Sequence, residues 1–188
     1  AAGTTTALVG TSGAGKSTLA ALIAGLVEPT GGRILVGDVD TGTVSDRWTA
    51  KNVTLMTQDV HIFAGTLRED LAMAAPGAGD AALLAALETV GLGQTTPQFH
   101  RAFPHGLDTR VGAGAEELPP EVAQQVALAR VALAGPKVLV LDEATAEAGS
   151  DATNALEQAA AEIRTMFRET PVGEHLTARL TEAYEELC

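Results

Sequence analysis

The sequence predicts an α/β fold with a mainly parallel sheet core and an inserted helical subdomain. Short apolar and β-branched runs alternate with stretches whose apolar residues recur at helical spacing. The run at 137–142 is almost continuously apolar, which is typical of a parallel strand buried on both faces. We therefore expect one domain over 1–188, with a core at 1–65 and 131–170, a helical subdomain at about 66–130 and an acidic tail at about 168–188.

Glycine, proline and capping residues set the limits of the predicted elements. Strands are predicted at 4–9, 33–36, 53–57 and 137–142, and helices at 16–26, 66–74, 80–90, 122–134 and 151–167. Thr66 and Asp80 are the expected N-caps, because their side chains can accept hydrogen bonds from the first turn. Gly135-Pro136 ends the helix before the last strand, and Pro104 to Gly114 is predicted to be a loop.

The composition excludes several classes of protein. The 24 acidic and 12 basic residues give a net charge of −12, which argues against a general nucleic-acid binder. Cys188 is the only cysteine, so no disulfide can form within the chain and a reducing compartment is expected. No run of apolar residues is long enough to span a bilayer.

A glycine-rich loop between the first strand and the first helix predicts phosphate binding. Residues 10–17 match G-x-x-x-x-G-K-[S/T] at every fixed position, in the strand–loop–helix context that this motif requires. Glycines let successive backbone N–H groups face an anion, and the helix N-terminus adds partial positive charge. Lys16 would contact the β- and γ-phosphates, and the Ser17 hydroxyl would ligate Mg²⁺. The nucleotide-binding residues are expected to be Gly10, Thr11, Ser12, Gly13, Ala14, Gly15, Lys16, Ser17 and Thr18.

Two acids at the end of the last predicted strand complete this chemistry. Asp142 can hold the Mg²⁺ water shell near Ser17, and Glu143 can accept a proton from an attacking water. With the phosphate loop, these residues predict a P-loop NTPase.

Four segments resemble the ATP-binding-cassette (ABC) ATPases. Val138 to Thr145 closely resembles their Walker B segment, and Met56 to Leu67 resembles the glutamine loop of exporter-type cassettes. Leu107 to Gly112 is similar to the stretch before the family's signature motif, and Gln124 to Arg130 to the helix after it. The resemblance covers roughly residues 1–165.

This resemblance implies an ATPase domain at the cytoplasmic face of the cell membrane. Its partners would be a transmembrane domain and a second nucleotide-binding domain, and its cofactors ATP and Mg²⁺. Two such domains close head to tail, so that each ATP touches the phosphate loop of one and the signature of the other. Gln58 would ligate Mg²⁺ and the attacking water, and His175 lies near the position of the switch histidine. The implied catalytic residues are Glu143, Lys16, Gln58 and His175, and the implied metal ligands Ser17, Gln58 and Asp142.

The chain departs from the family at several places. The signature Leu-Ser-Gly-Gly-Gln aligns with Leu118 to Val122, where Pro119 and Pro120 have no N–H and Glu121 brings negative charge. Gly149 replaces a subunit-crossing Asp, and Pro171 and Gly173 weaken the strand expected before His175. The family's first two strands precede residue 1, so we expect a truncated cassette with a degenerate signature.

Three functions remain open at this point. The first is an ATP-hydrolysing domain of an exporter-type transporter. The second is a nucleotide-binding but weakly hydrolysing partner in an asymmetric dimer, which the altered signature favours. The third is an ABC ATPase of repair or translation without a membrane partner, which the acidic composition disfavours.

Overall fold

A computed structural model describes residues 6–57 and 59–142 of the chain. The elements follow the chain as α1 (Lys16–Ile23), β1 (Leu35–Val36), β2 (Val39–Asp40), α2 (Asp46–Asn52), β3 (Val53–Met56), β4 (Gly65–Thr66), α3 (Leu67–Ala72), α4 (Asp80–Thr89), α5 (Pro97–Ala102), β5 (Arg110–Val111), α6 (Pro120–Ala134) and β6 (Val138–Leu141). Short 3₁₀ turns occupy Thr41–Thr43 and Gly106–Asp108. The α/β class is therefore confirmed.

The first of two compact units contains, among the described residues, 6–55 and 136–142. Strands β1 and β2 pair antiparallel, with Val36 opposite Val39. β3 pairs with β6, although they are far apart in sequence, and this pair is the parallel part of the fold. Helix α2 begins at Ser45, whose hydroxyl accepts a hydrogen bond from the Trp48 N–H at 3.3 Å.

The second unit contains the described residues between 56 and 135 and is mainly helical. Helices α3, α4 and α6 pack on one another, and α4 and α6 share the largest contact. β4 and β5 form a short antiparallel pair. The core consists of aliphatic side chains with one phenylalanine fully buried, as the low aromatic content predicts. Its fully buried members include Leu67, Leu71, Leu83, Leu87, Val122, Val126 and Phe103.

Local sequence explains where the helices of this unit begin and end. Thr66 and Glu69 form a capping box at α3, in which each side chain accepts from the other residue's N–H. Helix α5 follows Thr96, whose hydroxyl accepts from the Phe99 N–H at 3.1 Å. Gly135 takes a left-handed conformation and ends α6, as predicted.

Four expectations about local structure are wrong. Residues 6–9 of the predicted first strand pair with no strand among those described, and Val9 is 92% exposed. Their backbone groups therefore make no strand-to-strand hydrogen bonds with the described residues. Asp80 is the first helical residue of α4, because Gly79 holds the N-cap position. β6 is half-buried rather than buried on both faces. Part of the predicted 104–114 loop is β5, which pairs with β4.

The described residues contain no helix that is long and apolar enough to cross a membrane.

Candidate nucleotide-binding site

The phosphate loop forms a compact turn in the first unit. The Ala14 N–H donates to the Thr11 carbonyl at 3.2 Å, which draws the middle of the loop together. Gly13 has a φ of 82° and Gly15 a φ of 84°. Gly15 is also the N-cap of α1 in a left-handed conformation, which a residue with a Cβ atom adopts at a cost of about 1–2 kcal/mol. The glycine is therefore required by the turn that enters the helix.

The N-terminus of α1 is arranged to accept an anion. Its first backbone N–H groups have no acceptor within the helix, as at any helix start. No side chain of the described residues caps them, and the first turn carries no acidic residue. Lys16 and Ser17 are the first two residues of this helix. Partial positive charge at this end of α1 is thus left for an external negative group.

The Lys16 ammonium lies over the loop that precedes it. Its Nζ atom donates to the carbonyl oxygens of Gly10 at 2.9 Å and Thr11 at 3.0 Å. Within the described part of the chain, Lys16 forms no ion pair with a carboxylate. A full positive charge therefore accompanies the loop without an acidic partner there, and the residues present fit a nucleotide's phosphates.

Asp142 follows β6 directly, as the sequence predicts, and is half-buried. Ser17 is exposed in the first turn of α1. No group of three or more His, Cys, Asp or Glu residues in the described ranges could hold a metal ion alone. A site made of one carboxylate and one hydroxyl needs further oxygen ligands, which phosphates and waters commonly supply to Mg²⁺.

Gln58, Glu143 and His175 lie outside the described residues, as does Gly149. The roles expected of them remain predictions from the sequence.

The altered signature segment forms the start of α6 in the second unit. Pro119 is the N-cap, with φ −51° and ψ 141°, and no side chain among residues 6–57 and 59–142 caps the helix. Pro120 is the first helical residue, a position where a missing N–H leaves no helical hydrogen bond unmade. Glu121 follows in the first turn, where its negative charge faces the positive end of the helix. This helix end carries its own negative charge and lacks two of the usual free N–H groups, those of Pro119 and Pro120.

The structure also shows an ion pair, buried at Asp70 and partly buried at Arg130, that the sequence does not predict. Arg130 Nη1 lies 3.0 Å from Asp70 Oδ1, and the Asp70 side chain is completely buried. The signal available in the sequence was a charged residue on the apolar face of each helix. Asp70 lies one helical turn after buried Leu67, and Arg130 lies one turn after buried Val126 and Ala127. Their pairing could not be inferred, because it joins residues 60 positions apart.

Comparison with known proteins agrees with this geometry. A family model described as ABC transporter matches residues 1–146. The ABC multidrug transporter mdr2 of Aspergillus fumigatus is 36% identical over 143 residues, which are 76% of this chain and 17% of that protein. The mycobactin import ATP-binding/permease protein IrtB of Mycobacterium tuberculosis is 38% identical over 143 residues, or 76% of this chain and 24% of that protein.

A third relative matches nearly the whole chain. The uncharacterized ABC transporter ATP-binding protein y4gM of Sinorhizobium fredii is 34% identical over 182 residues, which are 97% of this chain and 30% of that protein. The chain therefore spans less than a third of the length of each of these relatives. The family match covers the phosphate loop, Asp142 and the helical unit between them. The chain belongs to the ABC transporter family, in which it is an ATP-binding domain.

Proposed function

We propose that this domain binds Mg-ATP and hydrolyses it to drive an exporter-type ABC transporter. The observation that carries the proposal is the phosphate loop, where the uncapped start of α1 and the Lys16 ammonium present positive charge together. Positive charge held in place before the reaction stabilises a transferring phosphoryl group without reorganisation. The exporter-like segment at 56–67 supports the transporter type.

The proposed roles follow from the chemistry of each residue. Ser17, Asp142 and Gln58 would hold Mg²⁺, which neutralises phosphate charge when bound. Glu143 would take the proton of the attacking water, since a carboxylate next to the metal site can act as a general base. His175 would contact the γ-phosphate as the switch histidine.

The proposed partners are a transmembrane domain and a second nucleotide-binding domain, at the cytoplasmic face of the cell membrane. One relative is named an ATP-binding/permease protein and another a multidrug transporter, which supports a membrane partner. The net charge of −12 supports a partner set without nucleic acid.

Nucleotide binding and turnover by the 188-residue chain test the proposal. Lys16→Ala should weaken binding of ATP by at least about tenfold, because it removes the charge over the loop. Glu143→Gln should leave binding in place and abolish turnover, because an amide cannot accept the proton. Lys51→Ala is the matched control, since Lys51 is an exposed lysine on α2 in the same unit. Unchanged binding by Lys16→Ala would overturn the phosphate-loop assignment.

A second candidate function has its own supporting observation. The first turn of α6 holds Glu121 and begins with two prolines, so the signature is poorly suited to a partner's γ-phosphate. The domain would then bind ATP, pair with a different domain and hydrolyse weakly itself. Mixing the chain with a complete ABC domain of another transporter half distinguishes the two functions. Turnover that depends only on the partner's own catalytic glutamate favours the second.

A further inference from the structure

Residues 61–63, within the stretch that resembles the glutamine loop, are attached to α6 through the buried Asp70 and the partly buried Arg130. Asp70 Oδ1 accepts hydrogen bonds from the Phe63 N–H at 2.9 Å and from Arg130 Nη1 at 3.0 Å. Arg130 Nη2 donates in turn to the His61 carbonyl at 2.8 Å. The Arg130 side chain is only 17% exposed. Two backbone groups of the 61–63 segment are thus fixed by one carboxylate and one guanidinium.

Aromatic contacts also hold the 61–63 segment against Arg130. The Arg130 guanidinium carbon lies 5.5 Å from the centroid of the Phe63 ring, within cation–π distance. The His61 ring meets the Phe63 ring edge to face at 4.8 Å. Arg130 therefore contacts the backbone at one end of the segment and the ring at the other. A planar guanidinium can satisfy both contacts at once, whereas a lysine ammonium is a point charge.

The ion pair between Asp70 and Arg130 contributes little net stability, because removing its charges from water offsets their attraction. Asp70 Oδ2 is buried and has no hydrogen-bond partner in the described part of the chain. Buried ion pairs of this kind are often matched or exceeded in stability by apolar side chains of similar size. What the pair supplies beyond stability is a fixed geometry between the 61–63 segment and α6.

We propose that Arg130 is a positioning residue for ATP hydrolysis, and that it acts through Asp70 and the 61–63 segment. The inference rests on the proposed hydrolytic function. The segment begins three residues after Gln58, the proposed ligand of Mg²⁺ and water, and α6 begins in the signature region. Within the second unit, Arg130 therefore connects the 61–63 segment to α6. Its loss would release the 61–63 segment from α6 and leave the phosphate loop unchanged.

The test compares steady-state ATP turnover of four forms of the chain. Arg130→Gln should lower kcat by about tenfold or more, because a small misplacement of a reacting group has large kinetic effects. KM for ATP should stay within about twofold, since the phosphate loop is untouched. Arg130→Lys should recover part of kcat through its remaining charge. Arg68→Gln is the matched control, because Arg68 pairs with Asp80 and Asp108 in exposed positions of the same unit.

A double variant separates positioning from stability. Arg130→Gln leaves the buried Asp70 charge without its partner and destabilises the unit. Asp70→Asn combined with Arg130→Gln removes both charges, so thermal stability should recover while kcat stays low. Recovery of kcat together with stability would overturn the inference, as would a kcat of Arg130→Gln equal to that of Arg68→Gln. A wild-type chain without turnover contradicts the proposed function and the inference with it, whereas the other two outcomes leave the proposed function standing.

Discussion

Gly112 lies directly against the backbone of Phe63. A Cβ atom at position 112 would be 2.5 Å from the Phe63 carbonyl oxygen and 2.8 Å from the Ala64 nitrogen. Both contacts are with backbone, which cannot rotate away as a side chain can. Gly112 follows β5 and Ala64 precedes β4, so this close approach occurs beside the antiparallel pair.

Gly112→Ala should therefore destabilise the chain more than an ordinary glycine substitution. Its φ of 73° alone costs about 1–2 kcal/mol for a residue with a Cβ atom. The forced shift of the Phe63 backbone should add about 1–3 kcal/mol, as in other overpacked sites. Urea unfolding of both proteins measures the difference in free energy.

Gly114→Ala provides the control for this comparison. Gly114 has a φ of 86°, but a Cβ atom there meets no atom of the described residues within 4 Å. The two variants share the conformational cost and differ in the contact. Equal losses of stability in Gly112→Ala and Gly114→Ala would show that the close contact with Phe63 does not contribute to the free energy of unfolding.

The capping box at α3 predicts a pH-dependent contribution to stability. The Thr66 N–H donates to Glu69 Oε2 at 2.8 Å, and this bond, with a second from the Thr66 hydroxyl, lowers the pKa of Glu69 below its ordinary value. The folded state therefore favours the charged carboxylate. Its contribution is complete above the pKa of Glu69 in the unfolded chain and is lost as pH falls through the lower folded pKa.

Glu69→Gln isolates that charge, because glutamine can still accept the Thr66 N–H bond. Wild type should be more stable than the variant at neutral pH, and the difference should shrink as the pH is lowered through the acidic range. Urea unfolding at a series of pH values measures it. Glu88→Gln is the control, since Glu88 is exposed on α4 and makes no side-chain hydrogen bond with any described residue. A constant difference between wild type and Glu69→Gln across this range would contradict the prediction.

Glu121 should stabilise α6 and hinder ATP hydrolysis together. A carboxylate in the first turn of a helix typically contributes about 0.3–1 kcal/mol through the helix dipole. The same charge opposes a phosphate at that helix end. Glu121→Gln should therefore lower the free energy of unfolding slightly. It should raise ATP turnover when the chain is mixed with a second nucleotide-binding domain.

The two effects are measured separately, by denaturation and by steady-state turnover at saturating ATP. Glu117→Gln is the control, because Glu117 is exposed and precedes the helix. Turnover that rises equally in both variants would point to net charge instead of the charge at the helix start. Turnover that does not rise in Glu121→Gln would mean that Glu121 is not what weakens the signature.

Short-range features were the predictable part of this molecule. Thr66 is predictable as an N-cap because its hydroxyl can accept a hydrogen bond from the first turn of the helix that follows, and the capping box confirms it. Asp80 was misassigned because Gly79 can hold the same position without a side chain. The phosphate loop was recognisable because glycines at fixed spacing are needed for one backbone path.

Features that depend on distant partners were not predictable. A strand at 4–9 requires a neighbour to pair with, and β-branched residues alone do not supply one. Asp70 and Arg130 each carry a charge on an apolar helix face, but their pairing requires α3 and α6 to pack together. The sequence therefore predicts the phosphate loop but not the contacts that hold the 61–63 segment.

The burial of residues 119–122 determines which of them can be replaced by the family's signature residues without disturbing the fold. Pro119 and Pro120 are exposed and Glu121 is only partly buried, so replacing them disturbs little packing. Val122 is 2% exposed and belongs to the core of the helical unit. A glutamine there would have to find hydrogen-bond partners in an apolar environment. The family's residues can thus be introduced one at a time at positions 119, 120 and 121, whereas a glutamine at 122 requires its neighbours to change as well.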